Sequence, residues 1–246
     1  ADTPITVTIN GVSYNKTTDK NGAVEMNIYL KPGVYTATVA YAGNKTIGAN
    51  SVDAKITVLP TITGNNITKM YQNGTHFSAA FVNGQGKALA NTKVTFNING
   101  VFYTKQTNDK GIANLNIMLR PGHYILTAYN PVTGDEQGFS IDVKSLIEAS
   151  DLTKYYLNAS RFQATIYNKD GSLAVNKEVT YNINGVFYTK TTDENGVASL
   201  GISLRPGNYI ITTIVDGLDM GNNVTVMPTL VTKDLDMKYL DGSDFT

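Results

Sequence analysis

The chain has 246 residues, of which 41% are hydrophobic and 16% charged, so it has ample apolar material for packed cores and is not disordered in composition. Twenty basic residues balance twenty acidic ones, which gives no net field to attract nucleic acid or anionic lipid. Cysteine is absent and no stretch is long and apolar enough to cross a membrane, so disulfides, thiolate metal sites and membrane insertion are not expected in this segment.

An Asn-Gly pair between two alternating runs occurs three times, and its glycines are Gly11, Gly100 and Gly185. The steps are 89 residues (100 − 11) and 85 residues (185 − 100). Steps of this length are too long for a solenoid repeat and fit a string of small autonomous domains. Asn-Gly supplies the positive φ of a tight turn, so a β-hairpin is predicted at each copy.

Apolar residues of the second copy fall at every other position over 77–81, 94–98, 113–119, 124–128 and 139–143. Such alternation indicates half-buried strands, because successive side chains of a strand point to opposite faces. With a first strand near 69–71 and another at 101–107, the pattern predicts seven strands, which is typical of a sandwich. The third copy repeats this pattern. We therefore predict an all-β chain of tandem seven-stranded β-sandwiches without long helices.

Each copy also carries a basic-Pro-Gly corner with a tyrosine two residues after the glycine: Tyr35, Tyr124 and Tyr209. This arrangement resembles the tyrosine corner of immunoglobulin-like sandwiches, so we expect rings that are mostly buried and hydroxyls bonded to the backbone.

Turns rich in Asp and Asn lie at 19–22, 108–111 and 193–196. We interpret them as backbone turns, since each offers too few carboxylates for calcium.

A family resemblance rests on the segments 152–156, 158–162, 179–185, 192–196 and 204–209, taken in that order. They closely resemble the immunoglobulin-like repeats of the large adhesin-like surface proteins of methanogenic archaea. The resemblance covers nearly the whole chain and implies a secreted, extracellular, cell-surface protein built of stalk or adhesive modules. The pattern of the last two segments also resembles transthyretin-like sandwich domains of bacterial surface proteins, so the strand topology is open between the two.

Domain boundaries follow from the equivalent unit ends at 58–60, 143–145 and 226–228. We predict an immunoglobulin-like domain lacking its first strands at 1–60, complete domains at 61–145 and 146–228, and the opening segment of a further repeat at 229–246. That segment stops at the start of its second strand, at Phe245. Two explanations remain open: a window of a longer array, or a subunit whose tail completes the first domain of the next.

Catalytic and metal chemistry has little support in the sequence. The only histidines, His76 and His123, do not recur in the other copies, and there is no thiol or phosphate-binding loop. An internal isopeptide bond would need a central acid, yet Glu25 is replaced by Asn114 and Ser199 in the later copies. We predict no enzyme activity, no cofactor and no metal site.

Two exposed aromatic residues are candidate contacts. Val101 and Tyr103 share one face of their strand, so Phe102 should point to the other, and Phe187 likewise. The first copy has Ser13 at the equivalent position, so the fold itself does not require phenylalanine.

Six Asn-x-Ser/Thr sequons are candidate glycosylation sites: Asn15, Asn44, Asn66, Asn73, Asn158 and Asn223.

Together these features predict a structural or adhesive cell-surface protein whose tandem domains form a stiff stalk or an extracellular filament. Its partners would be neighbouring repeats or copies of itself in a head-to-tail assembly. Glycans or the surface of a host or partner cell are further candidates. The alternatives are a carbohydrate-binding module array, weakened by the absence of tryptophan, and an accessory region of a larger surface hydrolase.

Overall fold

The structure is a computed structural model that describes residues 1–244. All regular secondary structure in that part of the chain is β-strand, so the predicted all-β fold class is confirmed. Contacts group the described residues into two compact units. One contains residues 1–66, 76–115 and 125–140, and the other contains 67–75, 116–124 and the chain from 141 onward.

The first sheet has four strands, in the order β2-β1-β3-β4. They are β1 (Pro4–Ile9), β2 (Val12–Thr17), β3 (Gly33–Tyr41) and β4 (Asn50–Val58). All three pairings are antiparallel. The buried centre of one face consists of Val7, Ile9 and Ala37. Residues 18–32, between β2 and β3, contain no strand.

Eight strands follow between residues 62 and 144. They are β5 (Ile62–Gly64), β6 (Ile67–Met70), β7 (His76–Phe81), β8 (Lys93–Ile98), β9 (Val101–Gln106), β10 (Ile112–Asn116), β11 (Gly122–Tyr129) and β12 (Glu136–Lys144). They form a three-stranded sheet, β10-β7-β5, and a five-stranded sheet, β6-β12-β11-β8-β9.

The same order returns between residues 147 and 227. The strands are β13 (Ile147–Ala149), β14 (Leu152–Tyr155), β15 (Arg161–Ile166), β16 (Glu178–Ile183), β17 (Val186–Thr191), β18 (Val197–Gly201), β19 (Gly207–Val215) and β20 (Leu218–Met227). Their sheets are β13-β15-β18 and β14-β20-β19-β16-β17.

The first strand of each complete set is divided between the two sheets, which corrects the expected seven strands to eight. Its beginning, β13, pairs antiparallel with β15 in the smaller sheet. Its end, β14, runs parallel to β20 in the larger sheet. β5 and β6 divide in the same way. Divided first strands, with β16, β19 and β20 adjacent in one sheet, favour the immunoglobulin-like topology over the transthyretin-like alternative.

Alternating side chains explain why these strands form a sandwich. Phe162, Tyr181 and Ile211 are completely or almost completely buried, and they belong to one cluster contributed by both sheets of β13–β20. The Phe162 and Tyr181 rings meet edge to face, with centroids 5.7 Å apart. Most of the intervening positions are polar, such as Gln163, Thr180 and Asn182, which leaves a largely polar outer face.

The predicted hairpin turns lie between β1 and β2, β8 and β9, and β16 and β17. Their glycines, Gly11, Gly100 and Gly185, have φ of 77°, 76° and 77°. The preceding asparagine also has positive φ in each case, for example 52° at Asn184, as a type I′ turn requires. A Cβ at Gly185 would meet nothing within 4 Å, so backbone conformation and not space selects glycine there.

Candidate functional site

The two candidate aromatic contacts lie on edge strands. Phe102 on β9 is 65% exposed and Phe187 on β17 is 64% exposed. The Phe102 ring lies 6.2 Å from the Tyr129 ring, at an interplanar angle of 39°, which makes a small aromatic surface. The position equivalent to Tyr129 in the third copy is Ile214, so that aromatic pair is not repeated.

The other face of these edge strands is less covered than the sequence suggested. Val101 is 48% exposed and Val186 is 49% exposed, although alternation places both on the core side. Five strands face only three in each sandwich, so the outermost strand of the larger sheet extends beyond the smaller one. Alternation in the sequence predicts the direction in which a side chain points, but it does not predict whether a second sheet covers that side chain.

The corner tyrosines each donate a hydrogen bond from Oη to the main-chain carbonyl four residues earlier. The acceptors are Lys31 for Tyr35, Arg120 for Tyr124 and Arg205 for Tyr209, all at 2.9 Å. The tyrosines are of intermediate burial, and Tyr35 and Tyr209 pack against the hydrophobic clusters of their copies. Each ring lies against the corner glycine. A Cβ at Gly207 would come within 3.3 Å of Tyr209 Oη, so the small residue makes room for the ring.

The Asp/Asn turns bind their own backbone. Asp19 Oδ1 accepts hydrogen bonds from the amides of Asn21 and Ala23, both at 2.8 Å. Asn108 and Asp193 do the same in the later copies. The backbone amides of Ala23 and Asn21 hold the pKa of the Asp19 carboxyl below its usual value. Within residues 1–244, no group of three or more His, Cys, Asp or Glu side chains is placed to hold a metal ion.

Two lysines that the sequence did not predict to be buried lie in the core. Lys69 on β6 and Lys154 on β14 are each 4% exposed. Lys69 Nζ donates to the carbonyls of Asn73 at 2.7 Å, Thr75 at 3.0 Å and Ile117 at 2.8 Å. Burial lowers the pKa of the Lys69 ammonium. Three carbonyl acceptors satisfy the three donors of an ammonium, which is how a buried lysine is tolerated.

Lys154 repeats this arrangement 85 residues later (154 − 69), with the carbonyls of Asn158, Ser160 and Ile202 as acceptors. The first two acceptors belong to the turn after β14, and the third follows β18 in the smaller sheet. We call each arrangement a lysine cage. A cage joins the divided first strand to the far sheet without a covalent bond. All the described hydrogen bonds of both Nζ atoms go to main-chain oxygens.

Both histidines lie at exposed positions. His123 Nδ1 is 2.7 Å from Asp142 Oδ1, with side chains 63% and 42% exposed. His76 begins β7 and is exposed. An exposed His–Asp contact on a sheet surface is screened by water and has no nucleophile in its described hydrogen bonds.

The sequons lie in accessible positions. Asn15, Asn44, Asn66, Asn158 and Asn223 are exposed, and Asn73 is partly exposed. Several of these side chains already form hydrogen bonds within the fold: Asn158 Oδ1 accepts a 2.7 Å hydrogen bond from the Ser160 amide, and Asn223 Nδ2 donates to Asp151 Oδ2 at 2.9 Å.

Residues 1–244 include no helix with the length and apolar character needed to span a membrane.

Residues of the second and third copies meet within the second compact unit. Arg120 and Asp219 form an ion pair of 2.7 Å, with both side chains more than half exposed. Lys169 Nζ donates to Gln72 Oε1 at 3.0 Å. Met70 and Tyr71 pack against the hydrophobic cluster of β13–β20. We call the contacts of Met70, Tyr71, Gln72 and Arg120 with the third copy the 70–72/120 junction.

Comparisons with known proteins give similarities of fold at low identity. No family model and no curated protein matches the chain. A titin I9–I11 tandem is 18% identical over 92% of this chain and 89% of that chain, with a TM-score of 0.32. Invasin, a bacterial integrin-binding protein, is 17% identical over 92% and 53%, with a TM-score of 0.28. A Bacteroides ovatus surface protein, SGBP-B of a mixed-linkage glucan utilization locus, is 16% identical over 97% and 64%, with a TM-score of 0.25. This chain therefore spans 64% of the length of SGBP-B.

Proposed function

We propose that this chain is part of an extracellular cell-surface protein whose tandem immunoglobulin-like sandwiches form a stiff stalk or filament. The proposed domains are 1–60, 61–145, 146–228 and the start of a further repeat at 229–246. The observation that carries the proposal is the 70–72/120 junction, in which consecutive repeats share apolar packing and an ion pair. An archaeal adhesin-like origin rests on the sequence resemblance alone.

Packing contributes more than charge to this stiffness. The Arg120–Asp219 pair is exposed, and such pairs contribute about 0 to 1 kcal/mol. Met70 and Tyr71 instead remove apolar surface from water. The short stretch from Lys144 to Ile147 between β12 and β13 leaves little chain to bend.

Within the second and third copies, backbone hydrogen bonds between strands and the lysine cages resist extension. The cages connect β6 or β14 to the opposite sheet, so the first strand cannot separate from the sandwich without breaking them. A protein that bears load between a cell and its surroundings gains from such cross-ties.

Force spectroscopy on the chain, held at its two ends, tests the stalk proposal. Residues 61–145 and 146–228 should each unfold in one step that releases about 300 Å of chain, since an extended residue spans about 3.5 Å. Smooth extension at low force, without two steps of this size, would show that the repeats do not act as load-bearing domains.

Small-angle scattering tests the junction. Met70→Ser should broaden the distribution of interatomic distances, because it removes apolar contact with the next repeat. Tyr155→Ser, at the equivalent position of the third copy, is the matched control and should leave the profile unchanged, since Tyr155 is 54% exposed. Equal profiles for both variants would contradict a stiff junction.

Glycan binding is the second candidate function, and the Phe102–Tyr129 surface favours it. Sugar rings stack on exposed aromatic faces, and Asn97, paired with Phe102 across the hairpin, offers hydrogen bonds. Binding on a glycan array that is lost in Phe102→Ala and kept in Phe187→Ala would support this function. Absence of any bound glycan would leave the structural role alone.

A further inference from the structure

The outermost strand of the larger sheet has an open edge in both complete sets of eight strands. Within residues 1–244, β9 pairs only with β8, and β17 pairs only with β16. Both strands lie in the middle of their sets, so the open edge belongs to the sandwich and not to either end of the chain. Such an edge presents main-chain N–H and C=O groups to which another strand can bind.

The hairpin turn determines which residues of β17 present these groups. Ile183 and Val186 flank the Asn-Gly turn, and the bond that closes the turn makes them a hydrogen-bonded pair. Hydrogen-bonded and non-hydrogen-bonded pairs alternate along an antiparallel ladder. Phe187, Thr189 and Thr191 therefore direct their main-chain groups away from β16, and all three residues are exposed.

A tyrosine and a lysine lie two residues apart on this edge strand in all three copies. The pairs are Tyr14 and Lys16, Tyr103 and Lys105, and Tyr188 and Lys190. At this spacing both side chains of a pair point to the same face of the strand. Across the hairpins, Lys105 lies opposite Val94 and Lys190 lies opposite Val179. The ion pairs described within residues 1–244 include none of the three lysines.

A lysine on an edge strand usually opposes the addition of another strand, so the register of any pairing is restricted. Three residues near the centre of β17 can lie on the two-fold axis of an antiparallel pair. An axis through Lys190 places two lysines directly opposite each other, and an axis through Tyr188 places each lysine opposite Val186. An axis through Thr189 places Lys190 of each strand opposite Tyr188 of the other, where the ammonium can bind the face of the ring.

We propose that β17 of one copy pairs antiparallel with β17 of a second copy, about an axis through Thr189. Phe187 then lies opposite Thr191 and Tyr188 lies opposite Lys190, each twice by symmetry. The five-stranded sheets of the two copies join into one continuous sheet. The interface is isologous. It goes beyond the proposed stalk and does not require it.

A second copy is the occupant because this edge complements itself. An unrelated strand would have to supply a partner for Lys190 and, two residues along, a cation for the Tyr188 ring. β17 read in the opposite direction supplies both. The same five residues, Val-Phe-Tyr-Thr-Lys, form 101–105 of β9 and 186–190 of β17, so the chain presents this complement twice.

Disulfide trapping tests the axis, because the chain contains no cysteine and a single variant can trap only a second chain. Thr189→Cys places the two cysteines directly opposite each other, with a Cα separation of about 5.5 Å, within the range for a disulfide. Thr191→Cys is the matched control, since it changes the same residue type on the same face of β17. Its two cysteines would lie four residues out of register, about 14 Å apart and outside that range.

We expect the purified chain under mild oxidation to give about tenfold more disulfide dimer with Thr189→Cys than with Thr191→Cys, given the distance limit. A mixture of Phe187→Cys and Thr191→Cys should give a mixed dimer above the level of either variant alone, because these two residues lie opposite each other. Equal trapping by Thr189→Cys and Thr191→Cys, or no dimer with either, would overturn the proposal.

Reversal of charge provides a second test of the same register. Adding Tyr188→Lys to Thr189→Cys places lysine opposite lysine and should lower trapping to the level of the Thr191→Cys control. Mixing this chain with one that carries Lys190→Glu and Thr189→Cys should restore a mixed dimer, because the introduced lysine then lies opposite the introduced glutamate. With the urea midpoint of the parent retained, trapping insensitive to Tyr188→Lys, or a loss that mixing does not restore, would contradict the proposed axis.

The cysteine series decides the question alone if Tyr188→Lys lowers the urea midpoint. Unfolding steps under force do not depend on a second copy, so failure of the pairing leaves the stalk proposal standing.

Discussion

The lysine cage of the third copy gives the sharpest stability prediction. Lys154→Met keeps most of the aliphatic stem of the side chain and removes only the ammonium group. The carbonyls of Asn158, Ser160 and Ile202 then lose their shared donor. The variant therefore separates the hydrogen bonds of the cage from the packing of the stem.

The magnitude follows from the burial of the three acceptors. The bond to Ile202 is buried, so its unsatisfied carbonyl costs about 1 to 3 kcal/mol. The bonds to Asn158 and Ser160 are only part-buried, and water can replace the donor there at a cost of about 0.5 kcal/mol each. Removing the buried charge returns part of its desolvation penalty. We expect a net loss of about 2 to 3 kcal/mol in the free energy of unfolding.

Urea denaturation followed by tyrosine fluorescence measures this loss, and residues 146–228 should unfold at lower urea in the variant. Lys190→Met is the matched control, because it removes the same charge from the edge strand β17, where Lys190 is partly exposed. It should change stability by less than about 0.5 kcal/mol. If Lys154→Met is as stable as the parent, the cage does not tie the sheets together.

Four further results are expected. Tyr209→Phe, which loses the bond to Arg205 O, should cost about 0.5 to 1 kcal/mol, and an unchanged urea midpoint would count against the corner. Thr213→Val should stabilise by about 1 kcal/mol, since the Thr213 hydroxyl is buried without a partner; destabilisation would indicate an unseen acceptor. Gly185→Val should cost more than about 1 kcal/mol, because a β-branched residue cannot take positive φ cheaply, and a stable variant would refute the turn. Burial raises the pKa of the Tyr181 hydroxyl to about 12, above its value of about 10 in the unfolded chain. The contribution of Tyr181 to the free energy of unfolding is therefore fully present below about pH 10 and should be lost as the pH rises towards about 12. Tyr181→Phe should remove this pH-dependent loss in alkaline denaturation, and an unchanged loss would count against it.

Alternation and turn chemistry were sufficient to predict most strands. Runs of the second copy place Phe77, Phe81 and Phe96 on one side, and all three are completely buried. Asn-Gly predicted the hairpins, because few other dipeptides accept positive φ at both positions. These features are local, and the sequence records them directly.

The lysine cages and the divided first strands depend on distant backbone and could not be predicted in the same way. Lys154 looks like a solvent-facing residue, since lysine is almost never fully buried unless paired. Its buried hydrogen-bond acceptor is the main-chain carbonyl of Ile202, 48 residues away in the sequence. Every residue has a main-chain carbonyl, so the residue type at position 202 does not indicate this bond. β5 and β13 have only three residues each, too few for a periodic signal. The recurrence of a lysine at 69 and 154 was the one available indication.

The described parts of the repeats bury hydrophobic cores of different size. The cluster of β13–β20 is formed by side chains of both sheets, and the hydrogen bond from Lys154 to the Ile202 carbonyl adds a polar link between them. The first sheet buries only Val7, Ile9 and Ala37 at the centre of one face, with half-buried Ile56 and Val58 at its open edge. A single sheet with one uncovered apolar face is marginally stable, so the stability of residues 146–228 depends on the packing of two sheets against each other. The same sequence pattern therefore yields a core between two sheets in each later copy, and in the described part of the first copy it yields the sheet that corresponds to the larger of the two.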